Sequence, residues 1–313
     1  MKPKRLDPSR AKTYKLATLS RKVTRAELAR PLEAGASVAE FLAALPDVLA
    51  ARDLRDLARR VARARRRGRL VLLQMGAHPL KVGLGPVICA LIRDGIIGAI
   101  AGNGATLIHD FELAYAGRTS EDVAAGLGDG SFGMAEETGA ILNEFAALAR
   151  GEGCGYGEIA GREMLRRKFR FADSSIFATA YKCGVPATVH VALGADIIHM
   201  HPHADGSAIG AATMADFHRF ADAVGRLSDG VVINLGSAVL MPEVFMKALN
   251  LARNLGCKVE RFTAADMDFV RHYRPAMNVV SRPTQNGGRG IMLTGHHEIM
   301  FPLLAMAIRE ELG

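Results

Sequence analysis

Tryptophan is absent from the chain, and only five tyrosines occur among its 313 residues. A surface built on aromatic stacking, such as a platform for single-stranded nucleic acid, is therefore poorly supported. The four cysteines, Cys89, Cys154, Cys183 and Cys257, stand far apart, and no two have the CxxC spacing of a zinc ribbon or a redox motif. We expect reduced thiols and neither a disulfide scaffold nor a zinc ribbon.

Long apolar runs are missing as well. No run approaches the ~18 residues that a membrane span needs, and the charged start, Met1–Arg5, is followed by no apolar stretch of the signal-peptide kind. The composition, with 49% hydrophobic and 23% charged residues, is that of a globular chain. We expect a soluble cytoplasmic protein with no membrane partner.

Positive charge is concentrated at the N-terminus. Residues 1–70 carry 19 Lys+Arg against 7 Asp+Glu, whereas residues 71–313 carry 21 against 25. The densest run, residues 59–67, contains six arginines. Such a run is compatible with nucleic acid or another anionic partner. A solvated helix face or a subunit-docking surface explains it equally simply, and the lack of interleaved aromatics disfavours nucleic acid.

From residue 70 onward, short apolar runs alternate with amphipathic segments. Strands are predicted at 70–75, 95–101, 187–192, 197–201, 230–236, 259–263 and 277–281. Helices are predicted from Ser37, where Glu40 completes a capping box, and at 53–67, 80–95, 134–150, 161–183, 211–226, 242–255 and 299–311. This alternation predicts an α/β fold: three Rossmann-like layers with a largely parallel sheet. Residues 1–69 are interpreted as a basic N-terminal arm with helices, and residues 70–313 as one domain.

Glycine and small polar residues recur where the predicted strands end. The segments are 76–78, 103–106, 205–207 and 235–237. In a parallel sheet the ligand crevice lies beyond the carboxyl ends of the strands, and glycine lets a backbone approach a phosphate or a ring. None of the segments is a GxGxxG or Walker motif. Glycines are also common in ordinary turns after strands. The segments are therefore explained either by a nucleotide-like ligand or by turns alone.

Histidines form the second signal. His190, His199, His201 and His203 fall within fourteen residues, and His199 and His201 would face the same side of a strand. That spacing suits a divalent metal, which makes a metal-dependent hydrolase one hypothesis. The alternative is a set of polar groups lining a crevice, and no metal ligand is assigned.

The third signal is a histidine with a carboxylate partner. His109 and Glu112 are three residues apart, which places them on one face of a helical turn. Such a pair can move a proton, and His201 is a further candidate for that role. Lys81, five residues after Gly76, could contact a phosphate or act as an amine, although a solvated helix-start lysine explains it as well.

Taken in order, these motifs resemble the deoxyhypusine synthase family, in particular its bacterial deoxyhypusine-synthase-like branch. The resemblance rests on Asn103-Gly104-Ala105 with His109-Asp110, then Asp205-Gly206-Ser207, Asn278–Ser281 and Phe301–Leu304, and it spans residues 70–308. It implies a Rossmann-like homotetramer that binds NAD at sites shared between subunits. The family oxidises spermidine with NAD and transfers its aminobutyl group through an imine on a lysine.

The resemblance also implies which residues hold NAD. They are Asn103, Gly104, Ala105, Asp205, Gly206, Ser207, Gly236, Asn278, Ser281 and His296.

The catalytic part of the family pattern is not matched. The family's lysine lies shortly before Phe301–Leu304, but residues 287–295 contain Arg289 and no lysine. A guanidinium stays protonated and forms no useful imine. We therefore expect an NAD-dependent transferase or oxidoreductase that acts on a small amine or another oxidisable molecule without the family's imine route. The alternatives are the metal-dependent hydrolase and a non-catalytic homologue that kept the fold.

Overall fold

The computed structural model describes residues 5–313. Within them, six strands form one sheet whose neighbours all pair in parallel, in the order β3-β2-β1-β4-β5-β6. The strands are β1 (Val71–Met75), β2 (Ala99–Asn103), β3 (Ala187–His190), β4 (Val231–Leu235), β5 (Thr263–Asp268) and β6 (Arg289–Thr294). This is the strand order of doubly wound dinucleotide-binding folds, with the switch point between β1 and β4.

Helices connect the strands and cover both faces of the sheet. They are α1 (Val38–Ala44), α2 (Leu49–Arg66), α3 (His78–Lys81), α4 (Gly85–Arg93), α5 (Gly104–Ala116), α6 (Val123–Leu127), α7 (Glu136–Glu152), α8 (Tyr156–Arg166), α9 (Ile176–Lys182), α10 (Gly206–Gly225), α11 (Leu240–Asn254), α12 (Tyr273–Pro275) and α13 (His297–Leu312). The predicted α/β class with a parallel sheet is confirmed.

Alternation along each strand divides the core into two layers. Leu73 and Met75 point into the larger layer, which contains α2, α4, α5, α7, α8, α9 and α13. Leu72 points into the smaller layer, which contains α10 and α11. Because both faces are covered, the strands are apolar on both sides, and this is why they could be recognised as short apolar runs.

Two predicted strands are wrong. Residues 197–201 form the 3-10 helix Ile197–Met200 followed by His201, because Asp196 and His199 cap the turn reciprocally. Residues 277–281 belong to the π-helical segment Ala276–Ser281 that continues α12. Its valines are buried against the sheet. A short apolar run of this kind has no visible periodicity, so the sequence cannot distinguish a strand from a helical turn.

The last two strands, β5 and β6, were not predicted where the structure has them. β5 begins at Thr263 rather than 259, after Arg261 takes a left-handed φ of 53°. β6 was missed, since its surroundings are rich in glycine. Gly290 is needed there: a Cβ on it would lie 2.7 Å from the Val280 carbonyl oxygen. The predicted helix 80–95 is also interrupted, at Gly83, which has a φ of +82°.

The N-terminal region contains both an arm and packed helices. Residues 5–30 run over the surface with three short 3-10 turns, and residues 1–4 of the predicted arm lie outside the described range. The capping box of Ser37 and Glu40 is present at the start of α1. The apolar side of α2, including Leu57 and Val61, is buried in the core. The domain boundary near residue 69 stays a prediction. In the described part of the chain, no helix is long and apolar enough to cross a membrane.

Candidate active site

The strand register brings one residue from each central strand to the carboxyl edge of the sheet. Met75 pairs with Gly102 and Leu235, and Leu235 pairs with Met267. One position further along lie Asn103, Gly76, Gly236 and Asp268, which we call the edge row. The chain leaves β1 and β4 towards opposite faces, and in folds of this strand order the ligand crevice lies at such a switch point.

The glycines of the edge row are required by close packing. A Cβ on Gly76 would lie 2.3 Å from the carbonyl oxygen of Gly236, and no real Cβ approaches so near. Gly236 itself has a φ of +63°, and a Cβ there would lie 2.7 Å from the His297 ring. The two strand ends therefore touch backbone to backbone at the switch point.

Four rings surround the end of β5 and form an aromatic cluster: His78, Phe269, His296 and His297. The ring centroids of His78 and His297 are 5.1 Å apart, and Phe269 is 5.2 Å from His78. Phe269 and His296 are exposed, nearly parallel at 8°, and 6.4 Å apart. His296 was predicted as a cofactor residue and His78 lies in the predicted segment 76–78, whereas Phe269 and His297 were not predicted to belong to the site, although each lies just after a strand end.

His297 is buried and has one nitrogen without a partner. Its Nε2 donates to the Met267 carbonyl at 3.2 Å and lies 3.6 Å from an Asp268 carboxylate oxygen. Its Nδ1 is therefore the acceptor nitrogen, and no group in residues 5–313 donates to it. Burial lowers the pKa of His297, which keeps the ring neutral.

A polar ladder crosses the sheet beneath the edge row. Gln74, Asn234 and Asp266 are in register on β1, β4 and β5 and are buried. The Gln74 amide donates to Asn234 at 3.0 Å, and the Asn234 amide donates to Asp266 at 2.7 Å. Burial raises the pKa of Asp266 to about 6. The ladder has no local signature in the sequence, because each member is a single polar residue in an apolar strand.

His109 and Glu112, the predicted proton pair, are joined through Thr119. The Thr119 hydroxyl donates to Glu112 and lies 2.5 Å from His109 Nδ1. Because that hydroxyl has one proton, Nδ1 must be the donor, and Nε2 of the ring carries the free lone pair. Thr138 donates to the other oxygen of Glu112 at 3.3 Å. We call these four residues the histidine relay.

Charge and burial keep His109 in its basic form. Burial, assisted by the nearby Lys81 ammonium, lowers the pKa of His109 to about 4. Burial, with a contribution from Glu121, raises the pKa of Glu112. A neutral imidazole with one fixed tautomer can accept a proton from a bound molecule.

The one-turn helix α3 links the two groups. His78 at its start belongs to the aromatic cluster, and Lys81 at its end lies near His109. The structure thus brings together Lys81, His109 and Glu112, together with Asn103 and Gly236 of the edge row. His296 lies on the same side, in the aromatic cluster.

The start of α5 has an unexpected neighbour. Asn103 caps this helix by accepting from Thr106 at 2.8 Å. A Cβ on Gly104 would lie 2.0 Å from a carboxylate oxygen of Asp196, and that oxygen is buried without a partner in the described chain. Burial raises the pKa of Asp196 to about 6. Ala105 follows in the first turn, half-buried.

The remaining predicted cofactor residues lie on other elements. Asp205 caps α10 through Ser207 at 2.8 Å, and its second oxygen pairs with Arg150 at 3.0 Å. Gly206 borders open space. Asn278 is buried and donates to Glu243 of α11 at 2.9 Å, whereas Ser281 is exposed. Their contact with a cofactor stays a prediction.

The histidine cluster does not assemble a metal site. His199 accepts from two backbone amides through Nδ1, and His201 is buried with Nε2 at 2.8 Å from the Gly133 carbonyl. His203 is exposed beyond Pro202. Among residues 5–313, no group of three His, Cys, Asp or Glu side chains is placed to hold a metal. The metal-dependent hydrolase is therefore not favoured.

Comparison with known proteins gives no match to a family model and none to a curated protein sequence. Several solved structures are similar. ArgZ, an arginine dihydrolase from the ornithine-ammonia cycle in cyanobacteria, has a TM-score of 0.53 at 12% identity. AgrE in a ternary complex with ornithine and NAD+ has a TM-score of 0.53 at 15% identity. In both cases 84% of this chain is covered.

The chain spans about a third of the length of these two proteins, 33% and 34% respectively. A protein assigned as a deoxyhypusine synthase from Entamoeba histolytica has a TM-score of 0.51 at 10% identity, with 89% of this chain and 95% of that chain covered. At such low identity these similarities concern the fold alone. The chain has a Rossmann-like α/β fold, shared with structures that include one assigned to the family that its motifs resemble.

Proposed function

We propose that this protein is an NAD-dependent enzyme that acts on a small amine or another oxidisable small molecule. The observation that carries the proposal is the position of α3 at the switch point, with the aromatic cluster at one end and the histidine relay near the other. Crevices at switch points bind dinucleotides in folds of this strand order. Ornithine and NAD+ in the AgrE complex support the same substrate and cofactor classes.

The residues present fit NAD. The exposed, nearly parallel rings of Phe269 and His296 offer flat surfaces to a ring, and the unpartnered Nδ1 of His297 offers an acceptor. NAD, when bound, supplies a hydride acceptor. We propose that Asn103 and Gly236 hold it, with the other residues predicted from the resemblance, Gly104, Ala105, Asp205, Gly206, Ser207, Asn278 and Ser281.

The histidine relay is proposed to take the proton. His109 Nε2 accepts it from the substrate, and the hydrogen bonds from Nδ1 to Thr119 and from Thr119 to Glu112 hold the ring in the required tautomer. Lys81 is the proposed amine or anion contact. For His201 we propose positioning, since its ring anchors the Gly133 carbonyl and lies against Gly139 of α7.

Transfer through an imine at the family's position is not part of the proposal. Arg289, in the segment that resembles the family's lysine region, points to α2 and pairs with Asp53 at 2.8 Å and Asp56 at 3.5 Å. The homotetramer and the cytoplasmic location stay predictions.

NAD binding tests the proposal directly. We expect mass spectrometry of the denatured protein to detect released NAD, or calorimetry to detect NAD binding to the purified chain. Phe269→Ala should weaken binding by roughly 1–3 kcal/mol, since stacking of a base on an aromatic ring contributes this much. Tyr181→Ala is the control, because Tyr181 is similarly exposed at the end of α9. Absence of NAD in both measurements would refute the proposal.

The state of His109 gives a test that needs no substrate. NMR titration should give His109 a pKa of about 4. Lys81→Met should raise that pKa, because an ammonium disfavours the imidazolium and its removal lifts this effect. Lys182→Met removes an equal charge from the end of α9 and should leave the value unchanged. An ordinary histidine pKa in the wild type would contradict the relay.

A further inference from the structure

A cavity lies at the edge of the sheet opposite to the edge row. It has a volume of about 530 Å³ and is bounded by α2, the amino ends of β4 and β5, and the end of α13. We call it the arginine groove, after the six arginines that line it: Arg59, Arg60, Arg63, Arg66, Arg67 and Arg261. β4 and β5 cross the sheet between this groove and the edge row, a separation of roughly 15 Å at 3.3 Å per residue.

Helix geometry places the arginines together. Residues 59, 63 and 67 recur every four positions and therefore lie on one face of α2 and its cap. The opposite face contains Leu54, Leu57 and Val61, which are buried in the core. Packing of that apolar face fixes the rotation of α2 and turns the arginines towards the amino ends of β4 and β5.

The acidic residues of the groove are largely occupied. Arg261 binds both oxygens of Asp229, at 3.0 and 3.2 Å. Arg60 pairs with Asp56 at 2.9 Å. Glu311 is the third acidic residue, and its backbone carbonyl accepts from Arg66. Six arginines therefore face three acidic residues.

Three of the arginines remain available. Within residues 5–313, the side chains of Arg59, Arg63 and Arg67 have neither an ion pair nor a hydrogen bond, and all three are exposed. The Arg261 guanidinium lowers the pKa of Asp229 most, and the Arg69 and Arg67 charges add to this effect. An excess of unpaired guanidinium groups around a concave site attracts anions.

The floor of the groove is built from strained backbone. Asp229 and Arg261, the paired residues, have left-handed φ values of 58° and 53°. Residues other than glycine rarely adopt this region, so the two mark tight turns just before β4 and β5. The ion pair that they form keeps the Arg261 guanidinium fixed beside the cavity.

We propose that the arginine groove binds a small molecule with two or more phosphate groups. Guanidinium forks match phosphate oxygens in pairs, and several forks around one cavity suit several phosphates. The volume is that of a small-molecule site. No aromatic side chain lines the groove, which disfavours single-stranded nucleic acid. The site is separate from the proposed NAD crevice and does not depend on it.

Calorimetry with inorganic tripolyphosphate at low ionic strength tests the proposal on the full chain. We expect wild-type protein to bind, and Arg63→Gln or Arg67→Gln to weaken binding by roughly 10- to 100-fold, the loss expected for one hydrogen-bonded charge. Arg65→Gln is the matched control. Arg65 lies on the same helix, but its guanidinium lies against Gly95 outside the groove, and its loss should change affinity by less than about threefold.

Three results would overturn the proposal. Wild-type protein that does not bind tripolyphosphate has no such site. An Arg65→Gln variant as weak as Arg63→Gln would show that only diffuse charge attracts the anion. Displacement of tripolyphosphate by a short RNA that binds more tightly would assign the surface to nucleic acid. Circular dichroism should show all three variants folded, since each residue is exposed, and unchanged NAD affinity would separate this site from the crevice.

Discussion

Asp216→Ala is expected to lower the free energy of unfolding by about 3 kcal/mol or more. Asp216 lies in α10 and is fully buried. One of its oxygens accepts from the Gly157 amide in the first turn of α8 at 2.9 Å and from the Val189 amide of β3 at 2.8 Å. Alanine would leave both buried N–H groups without a partner, and each costs about 1–3 kcal/mol. Urea denaturation of wild type and variant measures the difference.

The matched control is Asp216→Asn, whose amide oxygen can still accept both N–H groups. Burial raises the pKa of Asp216 to about 7, so the folded protein holds a proton there that the unfolded chain releases near pH 4. Between these values the wild type loses stability as pH rises, because ionisation is disfavoured only in the folded state. The free energy of unfolding of Asp216→Asn, relative to that of the wild type, should therefore increase from about pH 4 to about pH 7.

Asp222→Asn serves as the surface control for this pH dependence. Asp222 lies in the same helix, its side chain is 72% exposed, and it pairs with Arg226 at 2.9 Å. Its stability relative to the wild type should change little with pH in this range. If Asp216→Ala were as stable as the wild type, or if Asp216→Asn gained nothing with pH, the buried carboxyl would not connect α8 and β3 as described.

Gly76→Ala is expected to cost about 3 kcal/mol or more and to abolish tight binding of NAD. The added Cβ would stand 2.3 Å from the Gly236 carbonyl oxygen, which is backbone and has little freedom to move. Overpacking of this kind commonly costs 1–3 kcal/mol, and more where backbone must shift. Relief requires β1 and β4 to separate at the switch point, which deforms the crevice.

Gly151→Ala is the matched control. Gly151 is exposed near the end of α7, and a Cβ there meets nothing within 4 Å. Alanine favours the helix by up to about 1 kcal/mol, so this variant should be as stable as the wild type or slightly more stable. Urea denaturation and NAD calorimetry on both variants measure the effects. A stable Gly76→Ala variant with normal NAD affinity would contradict the crevice.

Local sequence patterns identified most elements, because a strand covered on both faces must be apolar and must end in a turn. Val71–Met75 and Val231–Leu235 are such runs. The capping box of Ser37 with Glu40 and the pairing of His109 with Glu112 were also visible, since each depends on residues three apart along one helix. These features need no distant partner.

The error at residues 197–201 has a local cause, the cap formed by Asp196 and His199, whereas the errors at 277–281 and β6 occurred where a distant partner decides the conformation. Residues 277–281 are as apolar as a strand, but α11 and β5 hold them in a helical turn. β6 forms because β5 provides a full register from Thr263↔Arg289 to Asp268↔Thr294, although its own glycines weaken it as a strand. The sequence by itself therefore determined the α/β class and the separate pieces of the site.

Only the tertiary structure decided which pieces meet. The sheet order places Gly76 beside Gly236, across 160 residues of chain, and thereby makes the edge row. It sets His297 between Met267 and His78. The physical reason is that strand order and helix packing depend on the burial of whole apolar faces. The site consists of single polar residues, and their spacing along the chain does not indicate the strand order.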